Sequence, residues 1–508
     1  MTIYIDISQL EKSRANTGIQ RVVKEFLQRA VYSKNSHIYK ILTFNAKTKK
    51  MEVLANNEVR LFSNDISNYK FTKREPINIE EIKPTTTTIF FDIDSAWNAP
   101  YKREILYPII KKNGFFIFNF IHDLIPILLP EYVQKVTIKN YKPFIETTYK
   151  YSDVVLFNST SSKNDFIDYK AVLKIDRDIS TKVIGLGSDF LSSNTIVNDT
   201  KTKAILEKKY ILFVGTLEPR KNHKEVLDAF DLLSEKYPDL NLVFIGIKGW
   251  KIDSFIDRIQ SHPLKDERLF WLNNIDDDTL YHFYQNAFLV TYLSKYEGFG
   301  LPIVESLQHG NITITSKNSS MPEVGLDYAD YVEDNNLNQL VETISKYTSD
   351  EKLYKKKKQY VKSFKPLSWD KFSELIFQSF DKFEKIQKKQ NMSFKEKVKA
   401  IPILGWVARW SYNLLRLNNL KHIVFHQKMQ IKQQKKESLQ QKKELQQQQK
   451  QINQQKTKLL QQEKQIKQLQ SHIDTEVAKQ ISFHTDAFAQ RLDQFIFDAK
   501  IELKTKEN

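Results

Sequence analysis

The stretch YEGFGLPIVESLQHG, residues 296–310, sets two glutamates, Glu297 and Glu305, eight positions apart. Between them stand Gly298, Phe299, Gly300, Leu301 and Pro302, and the apolar run FLVTYLS precedes them. Pro302 suits the first turn of a helix, because its missing N–H would be unpaired there anyway. Gly310 suits the end of that helix. The glycines between therefore form a tight loop feeding a helix N-terminus. Such a terminus presents unpaired N–H groups and a partial positive charge. Glycine lets this backbone approach a ligand closely. The predicted chemistry is an anion cradle, with a diphosphate as a fitting occupant. The two carboxylates flank the cradle as acceptors for sugar or ribose hydroxyls. On spacing alone, one capping acid and one surface acid explain the same pattern.

The surrounding elements must position these groups. Apolar runs recur at Ile3–Asp6, Thr88–Ile93, Phe115–Ile121, Val154–Asn158, Tyr210–Val214, Asn241–Ile245, Phe288–Tyr292 and Ile312–Thr315. Amphipathic stretches such as Lys224–Tyr237 and Leu280–Asn286 follow several of them. Strand–helix alternation with near-continuous apolar strands predicts an α/β fold built on parallel sheets. So many strands predict two α/β units. The polar stretch SSNTIVNDTKTK, within residues 191–209, marks the break. A length of 508 residues accommodates two or three domains.

Composition narrows the chemistry. The chain has no cysteine, which excludes disulfides, thiolate metal sites and a cysteine nucleophile. The N-terminal MTIYIDISQL does not read as a signal peptide. No uninterrupted run of 18 apolar residues predicts a transmembrane helix. Net charge is +17. Residues 427–470 hold 11 lysines against 3 glutamates, and residues 391–426 hold 6 Lys/Arg against 1 glutamate. Most of the excess thus lies in the last quarter, and the globular part is only mildly basic. Residues 427–470 also contain 18 glutamines. Leu445, Ile452, Leu459, Ile466 and Ile473 recur every seven positions, a coiled-coil seam predicted over 427–500. It points to a homo-oligomer or a recruited partner, with a solvated helix as the plainer reading. Residues 391–426 place Ile403, Val407, Trp410, Leu414 and Leu417 on one stripe among basic residues. That pattern suits the surface of an anionic membrane, or packing on the catalytic part.

Several stretches together resemble one family. YEGFGLPIVE looks like the E-x7-E signature of family 4 glycosyltransferases, group 1 type, which are retaining and have the GT-B fold. ILFVGTLEPRKNHKEVLDAF, residues 211–230, resembles the opening of that family's donor domain. FWLNNIDDDTLYHFYQNAFLV resembles the run-up to the signature, and SSMPEVG, residues 319–325, the loop after it. IHDLIPILLPEY, residues 121–132, resembles the family's HD-x-x-P stretch. NTGIQRVVKEF, residues 16–26, resembles its first glycine loop, with Thr17–Gly18 where two glycines are common. The resemblance covers residues 1–385 and not the tail.

The resemblance implies two Rossmann-like domains facing across a cleft. It places an acceptor-side domain at 1–200, a nucleotide-sugar-binding domain at 201–365 and a closing helix at 366–390 that crosses back. It implies that Glu305 binds ribose hydroxyls and Glu297 the transferred sugar. Backbone N–H groups of Gly298, Phe299, Gly300 and Leu301 would hold diphosphate or sugar. Arg220 and Lys221 would offset charge on the departing nucleoside diphosphate, a stabilisation that needs no metal or other cofactor. His122 would orient the sugar, and Gly215, Gly246 and Lys248 would lie at the nucleotide. Gly18 and Arg21 would face acceptor or phosphate. Asp123 reads as a helix cap, as do Ser159 and Ser161. Asp92 and Asp94 form a D-x-D pair, read as structural rather than metal-binding.

The activity implied is transfer of a hexose or deoxyhexose, leaning to mannose or rhamnose, onto a surface polysaccharide or lipid-linked glycan. Such an enzyme would be cytoplasmic, or peripheral on the inner face of the membrane. The alternatives are a GT-B epimerase or phosphorylase, and a coiled-coil scaffold or nucleic-acid binder. The EPRKN and EGFGLP pair favours transfer. The basic tail lacks the interleaved aromatics of a single-strand platform, which argues against nucleic acid.

Overall fold

The protein is described by a computed structural model that covers residues 1–391, apart from 15–16, 34, 67, 190–196 and 198, together with Arg491. The amphipathic stretch 391–426 and the heptads of 427–500 lie outside the described residues but for those two positions, as does most of the polar break.

Two sheets organise the chain. The first comprises β1 (Thr2–Asp6), β2 (Ile38–Asn45), β3 (Lys50–Leu54), β4 (Arg74–Ile77), β5 (Thr88–Asp92), β6 (Phe116–Ile121), β7 (Val154–Phe157) and β8 (Ser180–Val183). Their spatial order is β4-β3-β2-β1-β5-β6-β7-β8. The second comprises β9 (Lys209–Val214), β10 (Leu240–Ile245), β11 (Leu269–Leu272), β12 (Leu289–Tyr292), β13 (Ile312–Ser316) and β14 (Asp330–Val332), in the order β11-β10-β9-β12-β13-β14. All eight sequence-predicted strands are present, and each is almost wholly buried. Strands covered by helices on both faces need apolar side chains on both, which is why they read as continuous runs.

The first sheet is not purely parallel. β2 and β3 pair antiparallel, as do β3 and β4. β4, with sequence REPI, is largely exposed and closes this edge. Its polar residues and Pro76 suit an edge, where one row of backbone groups needs no partner. The second sheet is parallel throughout.

Both sheets belong to one compact unit, Met1–Met392. The helix Trp369–Asn391 ties the chain's end to the first sheet. Trp369, Phe372, Ile376 and Phe380 recur at helical spacing, and none is more than 3% exposed. They pack with Phe26, Phe91 and Phe118 in the first core. Each such burial contributes roughly 1.5–3 kcal/mol. Gly187 passes so close to this helix that a Cβ there would lie 2.6 Å from the Trp369 backbone. The lysine run 355–358 is partly turned inward: Lys357 pairs with Asp330 at 2.9 Å and Lys358 meets Asn311 Oδ1 at 3.0 Å.

The D-x-D pair is locked into the first sheet. Arg103, 2% exposed, bonds Asp92 through Nε at 2.6 Å and Asp6 through Nη2 at 2.6 Å. Asp94 accepts the backbone N–H of Leu10 at 2.7 Å and of Ser95 at 2.6 Å. Neither carboxylate is presented to a ligand.

Candidate functional site

A cavity of about 560 Å³ opens between the carboxyl ends of the strands of the two sheets. Loops after parallel strands converge there because every strand of such a sheet points its C-terminus the same way. From the second sheet, Gly215 and Thr216 follow β9, Gly246 follows β10 and Asn274 follows β11. Glu297 to Pro302 and Glu305 follow β12. From the first, His122 and Asp123 follow β6 and Asn158 follows β7. Gly18 and Arg21 come from the helix Gly18–Tyr32.

The glycine loop is shaped as its composition predicts. Gly300 has φ +103°, a left-handed value that favours glycine, and it caps the helix Leu301–Gln308. Pro302 lies in that helix's first turn. Gly298 is needed for close approach: a Cβ there would lie 2.1 Å from the His122 carbonyl oxygen. The loop is held from behind by SSMPEVG. Ser320 Oγ donates to the carbonyls of Glu297 and Phe299, both at 2.9 Å, and the Glu297 N–H donates to Ser319 Oγ at 3.0 Å.

Glu297 is the hub of a buried ionic cluster. Its Oε1 receives Arg220 Nη1 at 2.9 Å, Lys221 Nζ at 2.5 Å and Tyr292 OH at 2.9 Å. Arg220 also reaches Glu218 Oε1 at 2.6 Å. Burial pushes the Glu297 carboxyl up, but Arg220 and Lys221 outweigh it and hold it down at about 2. Glu297 is therefore ionised at neutral pH. Burial raises Glu218 although Arg220 opposes it. Burial lowers Lys221 against the pull of Glu297, and Glu297 and Glu218 keep Arg220 charged.

The two basic residues differ in placement. Lys221 lines the cavity, whereas Arg220 lies behind Glu297 and fixes its carboxylate. Lys248 does not line the cavity; its half-exposed ammonium pairs with Asp253. Apart from Arg220 and Lys248, the sequence-predicted site residues are brought together in the cavity wall.

Glu305 is 4% exposed and accepts Tyr284 OH at 3.0 Å and the Arg21 guanidinium. Arg21 spans the cleft, since its Nη2 also meets Asp277 Oδ1 at 3.1 Å. Other bonds cross beside it. Glu323 accepts the Thr160 N–H at 2.9 Å, Tyr296 OH donates to Asp165 at 2.8 Å, and Trp250 Nε1 donates to the Tyr132 carbonyl at 2.9 Å.

His122 is 5% exposed, and its Nε2 lies 2.9 Å from the Ile93 carbonyl. Burial pulls its pKa down to about 4 against that hydrogen bond. The ring is thus neutral, with Nε2–H as donor and Nδ1 left as an acceptor. Asp123 Oδ1 accepts the Ile125 N–H at 3.0 Å, but the N-cap of the short helix Ile125–Leu128 is Leu124, so Asp123 braces the turn before the helix instead of capping it as expected. It also lines the cavity, where burial raises it to about 6 although Arg220 opposes this. Ser159 caps the helix Thr160–Val172 through Ser162 N–H.

Sequence reading missed Glu218, Tyr292, Tyr284, Asp277 and Asn158. Glu218 adjoins the quoted basic pair, and Tyr292 ends the strand before the signature. The other three carry no local signal, because their partners or the cavity are distant in sequence.

Residues 196–364 match the family model described as Glycosyl transferases group 1. The serotype-specific mannosyltransferase WbdA of Escherichia coli is 25% identical over 330 residues, covering 60% of this chain and 36% of that protein. The O-antigen chain mannosyltransferase B of Escherichia coli is 25% identical over 328 residues, covering 61% of this chain and 81% of that one. The chain thus spans little more than a third of WbdA. Among solved structures, Anabaena HepE in complex with UDP-glucose aligns with a TM-score of 0.52 at 14% identity, covering 75% of this chain and 100% of that one. At that identity the likeness is one of fold, the two-sheet α/β architecture called GT-B.

Proposed function

We propose that this chain, whose residues 196–364 match the glycosyl transferases group 1 model, is a retaining glycosyltransferase. It moves a hexose from a nucleotide-sugar donor to a growing surface polysaccharide or lipid-linked glycan. The observation that carries this is the buried Glu297–Lys221–Arg220 cluster beside the Gly300–Pro302 helix start, with Glu305 one turn further in. Glu305 takes the ribose hydroxyls and Glu297 those of the transferred sugar. The N–H groups of Gly298 to Leu301 hold the diphosphate. Lys221, with Arg220 behind it, opposes the negative charge that builds as the nucleoside diphosphate leaves. His122 orients the sugar as a neutral acceptor. The step runs by front-face attack, with the leaving phosphate taking the hydroxyl proton, and uses no metal. Residues 1–200 form the acceptor side and 201–365 the donor side.

The mannosyltransferase relatives support mannose as the sugar, and the O-antigen named in one of them supports a polysaccharide acceptor. Among the described residues no helix is long and apolar enough to cross a membrane. In this reading the enzyme works on the cytoplasmic face, and residues 391–426 and the heptads of 427–500 serve membrane and partner contacts.

The test is a donor panel of GDP-mannose, dTDP-rhamnose and UDP-glucose, with NMR of the product's anomeric proton. The reading expects turnover of one donor and an α-linked product from an α-donor. A product whose anomeric configuration is opposite to that of its donor would remove the retaining mechanism, and no turnover with any acceptor would remove the activity.

A further inference from the structure

The wall supplied by the first sheet has a character of its own. β6 and β7 pair in parallel with Ile121 opposite Phe157. The next residues, His122 and Asn158, therefore emerge side by side at the cavity. Asn158 is 4% exposed, lines the cavity, and its Oδ1 has no hydrogen-bond partner. An unpaired buried polar atom costs about 1–3 kcal/mol, so one kept at a cavity wall points to a ligand that pairs with it. Asp123 follows His122. Its Oδ1 holds the Ile125 N–H, and its Oδ2 accepts no hydrogen bond among the described residues. His122 offers Nδ1 as an acceptor because Nε2 is committed to Ile93.

This wall thus presents three acceptors, one of them anionic. Its nearest cations are committed elsewhere. Arg21 is bound to Glu305 and Asp277, and Arg220 and Lys221 are bound to Glu218 and Glu297. A phosphate brought here would meet the Asp123 carboxylate, and like charges placed together are strongly unfavourable. Hydroxyl groups would find partners for their hydrogens.

Resting on the glycosyltransferase reading, we propose that Asp123 and Asn158 form the acceptor subsite, which reads the hydroxyls of an uncharged glycan end. Sugar phosphates are excluded. Asn158 and Asp123 act in binding and positioning the acceptor, and the nucleotide is held by the other half of the cleft.

The test uses the full chain with GDP, UDP and dTDP present, each separately. Methyl α-mannoside and methyl α-glucoside binding is followed by saturation-transfer NMR, with mannose 6-phosphate and glucose 6-phosphate as competitors. Nucleotide affinity is measured alongside by calorimetry. A neutral glycoside should bind, and the 6-phosphates should not compete. Its Kd should rise about tenfold or more in Asn158→Ala and Asp123→Asn, with nucleotide Kd within about twofold. Asn158→Ser and a melting curve guard against misfolding, since the serine keeps a small polar group. Equal or better binding of a 6-phosphate overturns the proposal, as does an unchanged glycoside Kd in folded variants or no binding of either glycoside. If none of the panel's nucleoside diphosphates, GDP, UDP or dTDP, binds, the glycosyltransferase reading itself falls. Intact nucleotide binding with any of the other failures removes the acceptor assignment alone.

Discussion

Replacing Gly298 by alanine tests how closely the two halves of the cleft must meet. The added Cβ would lie 2.1 Å from the His122 carbonyl oxygen and 2.8 Å from Asp123 Cβ. A carbon beside a carbonyl oxygen normally stands about 3.3–3.6 Å away. The two loops must therefore separate by roughly 1 Å. The neighbour is backbone, so no side chain can swing aside. Ser162 Oγ ties the same two carbonyls together, at 3.1 Å from His122 O and 3.2 Å from Gly298 O, and that link is strained as well. Overpacking of this kind costs about 1–3 kcal/mol. If the cost falls on the state in which both halves meet, kcat/KM drops about 5- to 150-fold. Nucleotide affinity, which rests on the β9–β14 half, should change much less. The assay is nucleoside diphosphate release under steady state, with calorimetry for nucleotide binding. A folded Gly298→Ala enzyme with kcat/KM within twofold of wild type would refute the reasoning.

Two further outcomes concern stability. Trp369→Ala should lower the unfolding free energy by about 3–5 kcal/mol, read from urea curves, because the ring is 3% exposed and anchors the last helix on the first core. His122 carries a pH dependence of known sign. Its folded pKa is lowered to about 4, by burial, from 6.5. Above pH 6.5 neither folded nor unfolded chain is protonated there, and the stability is full. As pH falls from 6.5 toward 4, the unfolded chain takes up a proton that the folded chain refuses. Stability then falls by about 1.4 kcal/mol per pH unit. Between pH 7 and pH 5 the share of His122 is about 2 kcal/mol, and His122→Gln should remove it; an unchanged pH dependence in that variant would contradict the burial argument.

The strands that were legible are those buried on both faces, such as Tyr210–Val214. The strands that escaped notice lie mostly toward the sheet edges. β3 and β4 carry KMEVL and REPI: Glu52 of β3 is buried but paired with Asn45 and Arg74, and the polar residues of β4 are tolerated because that edge strand is largely exposed. β14 has only three residues. In the site, the Glu297–Glu305 arrangement was legible because one loop and one helix start create it. Its partners were less so. Arg21 reaches Glu305 across 284 positions, and no local pattern encodes such a pairing. Asn158 follows an ordinary apolar strand, and only the β6–β7 pairing brings it beside His122. Lys248 shows the converse: its place after β10 suggested the nucleotide, but Asp253, five residues on, draws it outward.

The account's central claim is that Glu297 and Lys221 act together on a nucleotide-sugar donor. Its most direct test is nucleoside diphosphate release by the full chain, comparing wild type with Glu297→Gln and Lys221→Ala. The loss of one group from a preorganised charge site costs roughly 100- to 1000-fold in turnover. The account predicts a loss of that order in both folded variants, from the one donor that wild type uses. Release at wild-type rate in either variant would contradict it.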